Sequence, residues 1–183
     1  LQEQLKKLTD ASNKDDVLSF EELGVDSIMA DEAHNYKNLT IFSKINNVAG
    51  INSNGSKKAT DMLLKCQYIN EINNGRGIVF ATGTPVSNTM CEMFVMQKFL
   101  QNDRLKEMGL DYFDAWASTF GEVTTALELT VEGSGFRFKS RFNKFVNLPE
   151  LMTTFREVAD VCTSDLLDLD VPELKTGKPI IVE

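Results

Sequence analysis

Ile28-Met29-Ala30-Asp31-Glu32-Ala33-His34 decides the fold once it is set beside Gly77-Ile78-Val79-Phe80-Ala81-Thr82-Gly83-Thr84-Pro85. Each stretch is a short apolar run that stops on a polar tetrapeptide. Buried strands of parallel sheets read as continuous apolar runs, and sites in such sheets lie at the strands' carboxyl ends. Two adjacent carboxylates in that position are costly to desolvate without a partner, and a divalent metal carried by a nucleotide phosphate is the partner that suits them. With each residue type near ~5% of usage, a given tetrapeptide occurs by chance in roughly one chain in a thousand of this length. Two compatible ones, both after strands, are therefore not accidental.

The segments around these runs complete an α/β pattern. Ser19-Phe20-Glu21-Glu22 has capping-box spacing and Gly24 is a stop, which predicts one helical turn before a strand over Val25–Ala30. Ala59, Met62, Leu63, Cys66, Ile69 and Ile72 recur at helical spacing, so 57–73 reads as an amphipathic helix ended by Asn73-Asn74-Gly75. A strand over 77–82 follows, and after Pro85 the side chain of Ser87 can cap a helix over 88–100. Strand, crossover, helix, strand, helix implies a parallel sheet. The Asn-, Gly- and Ser-rich stretch 38–56 reads as a long surface loop, functional or mobile.

Further along, 102–119 reads as short helices carrying Phe113 and Trp116, and 121–145 as alternating strands turning at Gly133-Ser134-Gly135. Leu151, Phe155 and Val158 mark another helix, and 171–183 an extended tail. The expected organisation is a polar lead-in or cut connection over 1–17, an α/β part over 18–101, a helical and hairpin extension over 102–160, and a linker over 161–183. The chain contains neither an internal repeat nor a low-complexity tract.

Composition narrows the class. The 183 residues, 42% apolar and 25% charged, suit one globular domain with a real core. No apolar run approaches the ~20 residues of a membrane span, and the amino-terminal residues carry no signal-peptide core. The chain does not begin with Met, and a piece of a larger protein is expected. Cys66, Cys91 and Cys162 are odd in number and form no C-x-x-C, which argues against a disulfide framework or zinc and for buried thiols in a reducing, cytoplasmic setting. A net charge of −8 counts against bulk nucleic-acid binding. The run from Arg137 through Lys139 and Arg141 to Lys144 nevertheless holds no acidic residue, so a local basic stripe is compatible with it.

The residue chemistry is specific. Asp31 at a strand end can hold a phosphate-bound Mg²⁺ through water, and Glu32 can orient or deprotonate the water that attacks a γ-phosphate. His34, the chain's one histidine, can sense that phosphate or link its loop to the hydroxyls of Thr82 and Thr84. The bland alternatives are a solvated acidic turn for Asp31–His34 and an ordinary strand-to-helix turn for Thr82–Pro85; it is the pairing that separates them from the sharper reading. A zinc site on Asp31, Glu32 and His34 fails for want of a second His or a local Cys pair. Phe136 to Phe145 interleaves aromatics with cations. Either Arg137, Lys139 and Arg141 face a phosphate backbone, or Phe136, Phe138 and Phe142 fill the core with the cations merely solvated. The second is the favoured reading. The Met90–Met96 stripe and the 57–73 helix read as core packing.

Asp31-Glu32-Ala33-His34-Asn35-Tyr36-Lys37-Asn38 resembles motif II of superfamily-two helicases of the Swi/Snf type, where D-E-A-H is followed by a K-N pair. Thr82-Gly83-Thr84-Pro85, with Asn88 and Glu92 after it, resembles that group's motif III. The resemblance is close over about 18–100 and weaker beyond, and is nearest to motors joined to DNA methylases in phage-like and mobile-element proteins. It implies the carboxyl-terminal part of a first RecA-like (P-loop NTPase type) lobe, incomplete here. Asp31 would coordinate Mg²⁺, Glu32 would activate water, and His34, Thr82 and Thr84 would couple ATP to DNA, with Asn88 and Glu92 supporting the loop. The implied cofactors are ATP and Mg²⁺ and the implied partner is DNA, double-stranded, all in a parent protein of bacterial, phage or mobile-element origin. The family's G-x-x-x-x-G-K-[ST] loop has no counterpart, because Gly177-Lys178 is followed by Pro179. No nucleotide is therefore expected on this segment, which should be inactive alone. The rival expectation is a non-hydrolysing scaffold that binds DNA or protein.

Overall fold

The computed structural model describes residues 18–45, 48–130, 132, 135–163 and 166. The expected lead-in over 1–17, Gly133 and Ser134 of the expected turn, the tail 171–183 and most of the 161–183 linker lie outside them. The chain divides into two compact parts, residues 1–148 and residues 149–183.

The first part opens with the capping box as expected. Glu22 N–H donates to Ser19 Oγ at 3.3 Å and Ser19 N–H donates to Glu22 Oε2 at 2.7 Å. The turn closes through Leu23 N–H to Ser19 O, 3.2 Å, and Gly24 leaves it at φ 65°. Strand β1, Ile28–Ala30, is shorter than the expected 25–30. After it come the helix α1, Lys57–Ile72, and the strand β3, Ile78–Phe80, which pairs with β1 in parallel register, Ile28 with Ile78 and Ala30 with Phe80. Ser56 caps α1 by accepting from Ala59 N–H at 3.2 Å. Asn73, Asn74 at φ 53° and Gly75 at φ 78° end it as read. Gly77 is needed for two reasons. It sits at φ 96°, and an added Cβ would lie 2.8 Å from Asp26 O.

The parallel crossover is thus present, but the sheet is not buried on both faces. Met29 is 80% exposed and its register partner Val79 is exposed beside it. Alternate residues of the two apolar runs turn to opposite sides, and only one side meets α1 and the core. The 38–56 stretch also departs from expectation. Leu39 and Ile41 are buried, and Ile41 N–H donates to Asn52 O at 2.8 Å while Ser56 N–H donates to Asn38 O at 2.7 Å. The strand β2, Val48–Ala49, then pairs in parallel with Ser140 and Arg141 of a second sheet. Backbone hydrogen bonds between its two arms and a two-residue strand therefore tie this loop down.

Helix α2, Cys91–Leu100, is buried on almost every side and anchors the core. Met90, Met93 and Met96 pack inside, as the stripe predicted. Helices α3, Asn102–Glu107, and α4, Phe113–Phe120, bring an aromatic cluster onto it. Phe94 lies 5.4 Å from Phe113 and 5.6 Å from Trp116, ring centre to ring centre. Trp116 is fully buried and donates its Nε1–H to Gln97 Oε1 at 2.7 Å, so these two buried polar groups satisfy each other. Strands β4, Gly121–Leu129, and β5, Phe136–Phe145, form an antiparallel hairpin, and the sheet order is β2-β5-β4. Gly121 has to be small because a Cβ there would run into the Phe142 ring.

The favoured reading of the hairpin needs correction. Phe142 is buried, but Phe138 is 79% and Phe136 68% exposed. The face they share enters the core only at its Phe142 end. The thiols divide as well. Burial pushes Cys66 up to about 12 and Cys91 up to about 11, whereas Cys162 is exposed, against the expectation for all three. In the second part, the helix α5, Leu148–Phe155, carries Pro149 and Glu150 in its first turn, where both are tolerated. Val158, expected on the helix, lies in the turn after it, with its N–H to Phe155 O at 3.1 Å.

Candidate functional site

The two tetrapeptides meet because β1 and β3 are neighbours and end level. Ala81 N–H donates to Ala30 O at 2.9 Å, and Ala33 N–H donates to Ala81 O at 2.9 Å. The chain turns sharply between these bonds. Glu32 sits in the left-handed region at φ 51° and ψ 46°, an unfavourable conformation for a residue with a Cβ. Its N–H donates to Asp31 Oδ1 at 2.8 Å, which compensates locally. A short 3-10 helix, Ala33–Tyr36, follows, with Ala33 fully buried beneath it. Asp31 and Glu32 are left exposed at the strand ends, where solvent or a ligand can reach them.

His34 bridges the two loops. Its Nδ1 lies 3.0 Å from Glu32 Oε2 and 3.3 Å from Thr82 Oγ1. Protonated at Nδ1, the ring donates to the carboxylate; bare at Nδ1, it accepts the Thr82 hydroxyl hydrogen. Thr84 N–H donates to Thr82 Oγ1 at 3.1 Å and extends the chain into the second motif. Sequence reasoning placed Thr84 here through its hydroxyl. The structure instead engages its backbone: the N–H on Thr82 and the carbonyl on Lys37.

Lys37 was read only as part of a K-N pair, yet it is the second bridge. Its Nζ donates to Thr84 O at 3.1 Å, Ser87 Oγ at 2.7 Å and Glu92 Oε2 at 3.0 Å. All three donor hydrogens of the ammonium are thereby used. The Lys37 and Glu92 side chains are 9% and 11% exposed. Glu92 Oε2 also accepts from Ser87 N–H at 2.6 Å and Asn88 N–H at 3.2 Å. Burial alone would push the Glu92 carboxyl up. The Ser87 N–H, the Lys37 ammonium and the Asn88 N–H outweigh that and hold it below the ordinary 4.5. Ser87 therefore does not cap the next helix, as its position suggested. Helix α2 begins at Cys91 with no side-chain cap, and the Glu92 carboxylate in its first turn instead holds the preceding loop through the Ser87 and Asn88 N–H groups.

The three cations of the basic stripe fall together on one face of the hairpin, away from the strand ends in sequence and in a different sheet. Arg141 is committed to Glu128 through Nε at 2.5 Å and a second guanidinium nitrogen at 2.9 Å. Arg137 and Lys139 have no hydrogen-bonded carboxylate among the described residues. A tighter metal cage is absent too: among the described residues no group of three or more His, Cys, Asp or Glu side chains could hold a metal ion. None of the described helices is long and apolar enough to cross a membrane.

Known proteins supply the context. The chain is 32% identical over 161 residues to the "Defense against restriction protein B" of Escherichia phage P1. That match takes in 85% of this chain but spans only 7% of the relative's length. No solved structure matches. The family described as "Probable helicase domain" matches residues 1–163, and the chain belongs to that family.

Proposed function

We propose that this segment is the carboxyl-terminal part of the first RecA-like lobe of a Swi/Snf-type, ATP-dependent DNA translocase, in which it supplies metal coordination, water activation and coupling. The observation that carries the reading is the 3.3 Å approach of His34 Nδ1 to Thr82 Oγ1, which ties the two motifs across neighbouring strand ends. Membership of a helicase family supports it. Mg²⁺ keeps most of its waters and takes one or two carboxylates plus nucleotide phosphates, so an exposed aspartate without a surrounding cage is a fitting donor. Asp31 would hold it through water; bound Mg²⁺–ATP would supply the electrophilic phosphoryl group and neutralise its developing charge.

The residues of this chain would then act as follows. Glu32 takes up and orients a water at the strand end. His34 holds the Glu32 carboxylate and in its other protonation state holds Thr82, so movement of the Thr82–Pro85 loop changes the freedom of the Glu32 side chain. Lys37 and Glu92 keep that loop at a fixed height above α2. The test is Glu32→Gln in the longer natural protein that carries this segment. Turnover is expected to fall about 10²–10⁴-fold while ATP binding persists. Wild-type turnover in that variant would hand the segment to the non-hydrolysing scaffold reading. The 183-residue chain by itself is expected to turn over no ATP.

A further inference from the structure

Strand β5 leaves the core with two unlike sides. Register pairs Leu127 with Phe138 and Leu129 with Phe136, so these four apolar side chains share one face, and all four are exposed. On the opposite face Glu128 stands across from Arg137 and Ala126 across from Lys139. Both Glu128 oxygens are taken by Arg141, which leaves Arg137 and Lys139 without an ion pair among the described residues. Beyond Ser140 and Arg141, which pair with β2, the outer edge of β5 has no strand partner among the described residues. Residues 136–139 therefore carry exposed aromatics on one side and, on the other, cations with no ion pair among the described residues.

We propose that this edge binds an unpaired nucleic-acid strand, with its bases stacked on Phe136 and Phe138 and its phosphates held by Arg137 and Lys139. The inference rests on nucleic acid being the partner, as in the proposed function, and names which form of it the hairpin takes. A nucleotide has the same two-sided chemistry, an aromatic plane on one side of the sugar and an anion on the other. Phe136 and Phe138 are two residues apart on a strand, or ~7 Å. That is twice the ~3.4 Å rise per nucleotide along a duplex strand, so bases that meet both rings must be unstacked from each other. Long Arg and Lys side chains have the reach to bring their charged heads round the strand toward phosphates of a chain stacked on the rings. The net charge of −8 leaves the rest of the surface unfavourable to phosphate and concentrates binding on this stripe.

The test compares fluorescent oligo-dT with a blunt duplex of equal length, titrated with the intact chain at about 50 mM salt. Wild type is expected to prefer oligo-dT at least tenfold. Phe138→Ile, which keeps strand propensity and apolarity but removes the ring, is expected to lose roughly five- to a hundredfold on oligo-dT, with weak duplex binding unchanged. Phe138→Tyr should restore it. Arg137→Ala with Lys139→Ala should weaken both ligands and flatten the salt dependence by about 0.7 in log–log slope per cation on oligo-dT. Wild-type affinity in Phe138→Ile overturns the inference. So does a change in sedimentation with no change in binding, because the face would then be an interface between copies. If wild type binds the duplex as well as oligo-dT, only this inference falls. If it binds neither, the nucleic-acid part of the proposed function falls with it. Neither outcome bears on Glu32 and turnover.

Discussion

Two carboxylate–cation pairs, Lys37–Glu92 and Arg141–Glu128, are both within hydrogen-bond distance and have different surroundings. Each brings nitrogen and oxygen within about a hydrogen bond, at 3.0 Å and 2.5 Å. The first is nine-tenths covered; in the second the arginine side chain is 44% and the glutamate 29% exposed. In the covered pair, every hydrogen of the ammonium has an acceptor and the carboxylate also caps two backbone N–H groups, so removing either partner strands the other. The exposed pair competes with water and salt for each of its bonds, and either member can be released at little cost. Distance alone does not distinguish them, but burial and the number of dependent bonds do. The strand-end junction is accordingly a rigid strut, and the hairpin a surface whose charges remain available.

The strongest way to break this comparison is Lys37→Met, which keeps the aliphatic stem and removes the charge. It leaves Glu92 buried without its counter-ion and is expected to destabilise the chain by roughly 2–4 kcal/mol, the upper end of the range being reserved for complete burial. Urea denaturation reads this as a lower midpoint at unchanged slope. A loss under ~0.5 kcal/mol, ordinary for a surface substitution, would show that the covered pair behaves like an exposed one.

The pH dependence sharpens the same point with a smaller effect. Glu92 has its folded value held below the unfolded value near 4.5. Its stabilisation is therefore complete above about 4.5 and is lost as pH falls through the folded value. Glu92→Gln lacks this linkage, so the midpoint gap between wild type and variant should be constant from pH 7 to 5 and narrow below 4.5. A gap that stays constant down to the acid transition would show that Glu92 does not carry the shift.

These differences also mark what the sequence could and could not disclose. Strand β1, helix α1, strand β3 and their parallel order were legible because each is encoded locally, by apolar runs, 3.6-residue periodicity and the Asn-Asn-Gly stop. The approach of His34 to Thr82 followed from placing both loops at neighbouring strand ends. Lys37 was different. Nothing in its local sequence indicates that a residue fifty-five positions later will surround its ammonium. The Ser87 cap failed for a related reason, since Ser87 is drawn into the Lys37–Glu92 junction and the helix starts only at Cys91. The hairpin's alternation was read correctly as a strand pair, but period two says only that the faces differ. Which face is covered depends on where the strand leaves the core, and Phe142 is covered where Phe138 is not.

The smallest effect tests the exposed pair as a control on the hairpin. The Arg141 guanidinium beside Glu128 holds its carboxyl below the ordinary 4.5, with weaker help from Lys139 and Arg137, so the carboxylate is ionised at any working pH and neutralises one cation of the stripe. Glu128→Gln removes that negative charge and frees Arg141. Both groups are solvated, so the urea midpoint should stay within error of wild type. The binding readout should change instead. Oligo-dT affinity is expected to rise about two- to fivefold, with the salt dependence steeper by about 0.7 in log–log slope, the increment for one added phosphate contact. A shifted midpoint with unchanged binding would reverse the comparison and make the hairpin pair the structural one. A steeper salt slope at wild-type stability fits a face whose glutamate tunes charge and whose fold is held elsewhere, by Phe142 and the aromatic cluster beneath it.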